Sequence, residues 1–190
     1  MIQRSTPPRR TCDGVKSDQA PLSSPLDIIA KDHLRERDVC AALDRIATAE
    51  TPERDSLAAC IRFLAQDLPL HLRDEEEDLF PLMRRRCSAD DNIEAVIARL
   101  CSDHDHATID TPRLVELLQV LQGERRSANP DEREVVRSYA THARRHLILE
   151  NAIILPLAKK RLSRDDLETL RIRMLQRRGI DPMKEAPDAK

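Results

Sequence analysis

The chain has 190 residues, of which 35% are charged, and its 32 basic residues nearly cancel its 34 acidic ones, so no overall field points towards nucleic acid or an anionic membrane. No apolar run approaches the ~20 residues of a spanning helix, and the start, Met-Ile-Gln-Arg-Ser-Thr-Pro-Pro-Arg-Arg, lacks the apolar segment of a secretory signal. With 2% aromatic residues and three glycines, the composition is helix-forming and predicts one all-α domain with tails, in a soluble cytoplasmic protein.

Residues 1–23 carry Pro7, Pro8, Gly14 and Pro21 with no apolar period and read as a disordered tail. A first helix is expected from Ser24, with Pro25 in its first turn, to about Thr48, with Ile29, His33, Cys40, Leu43 and Ala47 on its inward stripe. Thr51-Pro52 restarts the chain. The second helix, to about Cys87, faces inward with Leu57, Cys60, Leu64, Leu68, His71, Glu75, Leu79 and Leu82, and Pro69 should bend it.

A third helix opens near Asp90, carries Val96, Ile97, Leu100 and His104 inward and His106 on the polar side, is kinked or restarted at Pro112, and ends at Gly123. Asn129-Pro130 caps the fourth, which runs to about Leu162 along Val135, Tyr139, His146, Glu150, Ile153 and Leu157. Ser163 to Asp166 resembles a capping box and starts a short accessory helix over 163–178, packed outside the rest, before a fraying tail over 179–190. Four long amphipathic helices with short linkers predict an up-down-up-down four-helix bundle over 24–162. The five cysteines, Cys12, Cys40, Cys60, Cys87 and Cys101, contain no Cys-x-x-Cys pair and read as reduced thiols, with Cys40, Cys60 and Cys101 as core filler.

Within this pattern one segment is written twice. His71-Leu-Arg-Asp-Glu75 leads to Leu-Phe-Pro81-Leu, and His146-Leu-Ile-Leu-Glu150 leads to Ile-Leu-Pro156-Leu, at a constant offset. A His and a Glu four residues apart lie one turn apart on one helix face and can aim their donors at the same ion. Asp32-His33 opens the first half and Asp103-His104 the second, so each half is a hairpin with one lone His and one His-x-x-x-Glu. Asp74, Glu76, Glu77 and Asp78 have no acidic counterparts in the second copy and read as solvated surface. Packing the hairpins about a pseudo-twofold axis would bury four imidazoles and two carboxylates in one core. Two unpaired carboxylates there would cost several kcal/mol each, and a pair of divalent cations can neutralise them. The nitrogen and oxygen donor set suits iron or manganese, with zinc compatible.

At these motifs the sequence resembles the hemerythrin-like family, also called the HHE cation-binding domain, from about Pro25 to Leu162. The resemblance implies a non-heme centre of two iron ions in a four-helix bundle, with His33, His71, His104 and His146 as terminal ligands and Glu75 and Glu150 as bridges. Relatives of the oxygen-carrying type use five histidines, and His142 or His106 is the candidate for a fifth here. The leading expectation is a binding module for oxygen or a related small molecule, nitric oxide or peroxide, at an open coordination position. The alternatives are a di-iron enzyme handling peroxide, with Tyr139 as a redox neighbour, an iron donor or stress-repair factor, and a metal-free interaction bundle.

Overall fold

Each long helix begins close to where the sequence places a cap and a proline. In the computed structural model, which describes residues 24–182, α1 is Pro25–Thr48, with Pro25 in its first turn and the Ser24 carbonyl accepting from the Asp27 and Ile28 amides. The rod α2 covers residues 54–86, α3 is Ile93–Glu124 after a 3-10 turn at Ala89–Asp91, α4 covers residues 130–161, and α5 is Arg164–Arg177. Reciprocal capping boxes, Asn129 with Glu132 and Ser163 with Asp166, start α4 and α5. The expected tail at 1–23, with Cys12, lies outside the described residues, as do 183–190. Among the described residues no helix is long and apolar enough to cross a membrane.

The helices run up, down, up and down, α1 packing on α2 and α4, and α3 packing on the same two. Two expectations need correction. α3 runs through Pro112 as one helix, so of the kink or restart expected there the restart does not occur. Pro112 and Thr108, whose carbonyl the missing N–H would have met, both lie on the exposed side of the helix, which keeps the loss small. The inward stripe of α4 is set by Val136, Ala140, Leu147, Ile154 and Ala158, while Val135 is exposed.

α2 and α4 are not plain α-helices. π-helical turns interrupt α2 at Phe63–Asp67 and Glu75–Leu79, and α4 at Glu150–Ile154. Each turn starts six residues before a proline, Pro69, Pro81 and Pro156. A proline inside a helix has no N–H to give and crowds the carbonyl four residues back, and a widened turn absorbs both defects. Two of the three widened turns begin at Glu75 and Glu150.

The apolar interior is split in two. One cluster gathers Leu43, Ile46, Leu64, Leu68, Leu118 and Val136, and the other gathers Ile29, Leu79, Phe80, Met83, Ile97 and Ile154. Between them along every helix come the buried polar residues, His33 and Glu36, His71 and Glu75, His104, and His146 with Glu150. Cys40 and Cys60 are free thiols within the first cluster, and burial pushes them up to about 12 and about 11, so they stay protonated filler.

α5 docks against α1 and α2, through a dense set of ion pairs. Arg177 reaches Asp74, Glu77 and Asp78, Arg173 lies 2.7 Å from Asp78, and Arg178 lies 2.7 Å from Asp74. Asp74 and Asp78 are therefore buried under α5 and are not solvated surface, which also explains why the second copy of the repeat lacks them. The helix closes on Gly179 at φ 71°, with the Ile180 amide donating to the Leu175 carbonyl, so the first residues of the expected fraying tail form an ordered cap. Burial raises Asp74 even against Arg178 and Arg177, so this pair contributes little net stability but is costly to break. Arg177→Ala should lower the unfolding free energy by about 3–5 kcal/mol in urea denaturation, whereas Arg73→Ala, which removes only an exposed pair with Glu77, should cost under about 1 kcal/mol. Equal losses would contradict this docking.

Candidate metal centre

α1 and α3 each bring one histidine to the middle layer, and α2 and α4 each bring a histidine with the glutamate one turn on. All six side chains are almost wholly buried. Their donor atoms form two groups of four, His33, His71, Glu75 and Glu150 in one, and Glu75, His104, His146 and Glu150 in the other. Both carboxylates belong to both groups. His33 Nε2 lies 3.5 Å from Glu75 and 3.3 Å from Glu150, His71 Nε2 is 3.5 Å from Glu75, and His146 Nε2 is 2.9 Å from Glu150. His104 Nε2 lies 3.1 Å from His146 Nε2 and 3.6 Å from Glu75. Ligands held ~2.1 Å from one divalent ion are separated by roughly 3.0–3.4 Å, so these spacings suit a cation at the middle of each group.

The lone histidines are oriented by the opposite half of the repeat. The Nδ1 atom of His104 lies 2.8 Å from Glu76 Oε1, and that of His33 lies 3.2 Å from Asn151 Oδ1. Asn151 Nδ2 donates to the Leu147 carbonyl at 2.7 Å, which fixes the amide so that its oxygen faces the ring. Each Nδ1 therefore donates outward and each Nε2 is left to the centre. Glu76 and Asn151 follow the two central glutamates in the two copies. Glu76 is exposed, as the sequence suggested, but one of its oxygens is also a ring-orienting acceptor; the shared register with Asn151 was the available signal for that second role.

The donor chemistry fits a cation. His33 Nε2, both ring nitrogens of His71 and all four oxygens of Glu75 and Glu150 are buried without a hydrogen-bond partner, and each such group costs free energy unless something satisfies it. The charge partners of Glu75 and Glu150 are imidazoles. Burial alone would lower His33 and His146, but the facing carboxylates raise both to about 9. Burial wins at His71, which is lowered, while burial's upward push on Glu150 is outweighed by His146, His104 and His33, which hold it well below the ordinary range. Without metal, protons on these rings offset the two carboxylates, and a cation has to displace them.

A profile of the hemerythrin HHE cation-binding domain matches residues 24–158. The chain belongs to this family. Comparison with curated proteins gives no match. In this hemerythrin-like bundle the matched span holds all six central residues and ends before α5.

A cavity of about 550 Å³ runs from the surface to one side of the hemerythrin-like centre, and its inner wall includes Glu36, Leu72, His104, Tyr139 and His146. Of the six central residues it reaches only the His104 and His146 pair. Tyr139 shares a 2.8 Å hydrogen bond with Thr111 across this wall. Neither candidate for a fifth histidine joins the centre. His106 and His142 are exposed and lie beside Asp103 at the cavity's outer part.

Glu36 was missed by sequence reasoning although it falls on the stripe of Ile29, His33 and Cys40, where a charged residue is itself a signal. It is 6% exposed, its Oε2 has no partner, and burial, reinforced by Glu150, raises it to about 7. In metal-free protein Glu36 resists ionisation from 4.5 to about 7, and His33 and His146 keep their protons from 6.5 to about 9. In these windows each of the three groups binds more protons in the folded state than in the unfolded chain, so each makes stability fall as pH rises. His71, which is lowered, acts the other way below its ordinary value of 6.5. Denaturation of metal-free protein at about pH 5 and about pH 8 isolates the Glu36 contribution by difference: relative to wild type, Glu36→Gln should lack a fall on the order of 3 kcal/mol across this range. An unchanged pH dependence in the variant would contradict the buried, protonated Glu36.

Proposed function

We propose that this chain is a non-heme di-iron protein of the hemerythrin type that binds or senses oxygen or a related small molecule, nitric oxide or peroxide. On this reading His33 and His71 would hold one iron and His104 and His146 the other, with Glu75 and Glu150 available to both. The observation that carries it is the sharing of both carboxylates between two groups of donors, each completed by two histidines. When bound, the iron pair supplies a reversible change of oxidation state and open coordination positions.

The rest of the chemistry belongs to the protein. Glu76 and Asn151 keep the rings of His104 and His33 turned inward. Leu68, Leu72 and Leu114 give the cavity apolar walls, which admit a small uncharged molecule and limit water. Because the cavity meets His104 and His146, the incoming molecule is placed at that side of the centre. Manganese and zinc fit the same donors, and zinc would leave the centre without redox chemistry.

A second reading, peroxide reduction, is favoured by Glu36. Reduction of hydrogen peroxide to two waters takes two protons and two electrons, the electrons to be supplied by a bound iron pair and its external reductant, and Glu36 is a buried carboxylic acid on the cavity wall that can deliver a proton. Protein loaded anaerobically with iron should change its visible and near-ultraviolet absorption on exposure to oxygen, nitric oxide or peroxide, and Glu150→Ala should abolish the change. Sustained reduction of hydrogen peroxide in the presence of an added electron donor, slowed at least about tenfold in Glu36→Gln, would select the enzymatic reading. Iron-loaded protein that responds to none of the three molecules would refute both.

A further inference from the structure

Outside the buried centre, Asp103, His106 and His142 bring one ligand atom each to within 4.8 Å of one another. Asp103 and His106 sit one turn apart on α3, so their side chains share a face. His142 reaches them from α4, with its ring centroid 5.9 Å from that of His106 and its Nε2 3.5 Å from Asp103 Oδ1. Asp103 is almost completely buried, while both imidazoles are open to solvent. All three line the outer part of the cavity that ends at His104 and His146.

We propose that Asp103, His106 and His142 form a third cation site, a two-histidine, one-carboxylate set that takes a first-row divalent cation at the mouth of the cavity. Three donors on one side of an ion leave its remaining positions to water, which suits a site that captures a cation and lets it go. Asp110, Asp131 and Glu134 add negative charge to the same rim, against Arg113, which lies 3.7 Å from Asp110. Arg99 competes for the carboxylate, with its Nε 3.2 Å from Asp103 Oδ1 and donating to Oδ2 at 3.4 Å, but it is an exposed side chain that can swing into solvent. The second oxygen of Asp103 faces His146 Nδ1 at 3.9 Å, and that nitrogen has no hydrogen-bond partner. One carboxylate thus stands between the outer imidazoles and a histidine of the buried centre, which makes the outer site a staging point for a cation on its way in.

The ligand set stands on its own geometry, and only the staging role rests on the proposed function. Cobalt(II) titration of the full chain, followed by its visible absorption and by calorimetry, tests it. The expected result is an exposed equivalent beyond those bound centrally. His106→Ala and His142→Ala should each weaken it at least about tenfold while leaving the central equivalents and the helical circular dichroism unchanged. Arg99→Gln should strengthen it, because a competing cation is gone. In a Glu75→Ala, Glu150→Ala background the central equivalents should be lost while the His142-dependent one persists, so failure of the central reading is told apart from failure of this one. Saturation with no equivalent sensitive to His106→Ala or His142→Ala overturns the site.

Discussion

Two glutamates in the middle of an apolar bundle set the terms for everything around them. Glu75 and Glu150 are fully buried, their oxygens lack hydrogen-bond partners, and their charge partners are imidazoles. A carboxylate in that position is tolerated only if positive charge comes to it. The metal-free protein meets the demand with protons on His33 and His146, which the glutamates hold to about 9. Divalent cations in the two donor groups would meet it as well and would also satisfy the neutral ring nitrogens. The polar layer that results divides the core into two apolar clusters, and those clusters clamp it from both sides.

The duplicated hairpin explains how one short motif builds such a layer. Each half supplies a pair of histidines to one group of donors and a glutamate to both groups. Each half also steadies the other, because the residue after its glutamate accepts from the lone histidine across the axis, Glu76 from His104 and Asn151 from His33. The symmetry is broken twice. α5 covers, through Asp74 and Asp78, the acidic face of α2, which has no acidic counterpart on α4, and the cavity opens only onto the His104 and His146 side. Scaffolding and access are thereby assigned to different halves of a nearly symmetric site.

Much of this was legible in the chain itself. Helical period placed His33, His71, His104 and His146 on buried faces, and the i+4 spacing placed each glutamate beside its histidine; the bundle, the cap at Asn129 and the accessory helix followed from the same local rules. What escaped depends on contacts between segments far apart in sequence. The burial of Asp74 and Asp78 needs arginines about a hundred residues away, and the role of Glu76 needs His104 across the bundle. Glu36 and the widened turns left marks that were readable, a charge on an apolar stripe and a proline six residues after each π turn began. Val135 was misplaced because neighbouring valines at 135 and 136 fit the apolar period almost equally, and packing chose the second.

We propose above all that Glu75 and Glu150 are shared by a pair of metal ions inside the bundle. X-ray absorption spectroscopy of the iron-loaded protein measures this directly. The account predicts nitrogen and oxygen neighbours with imidazole scattering around each iron, and a second iron close by, with the metal-to-metal contribution lost in Glu75→Ala. Isolated iron atoms with no metal neighbour, or a metal environment unchanged by that substitution, would contradict it.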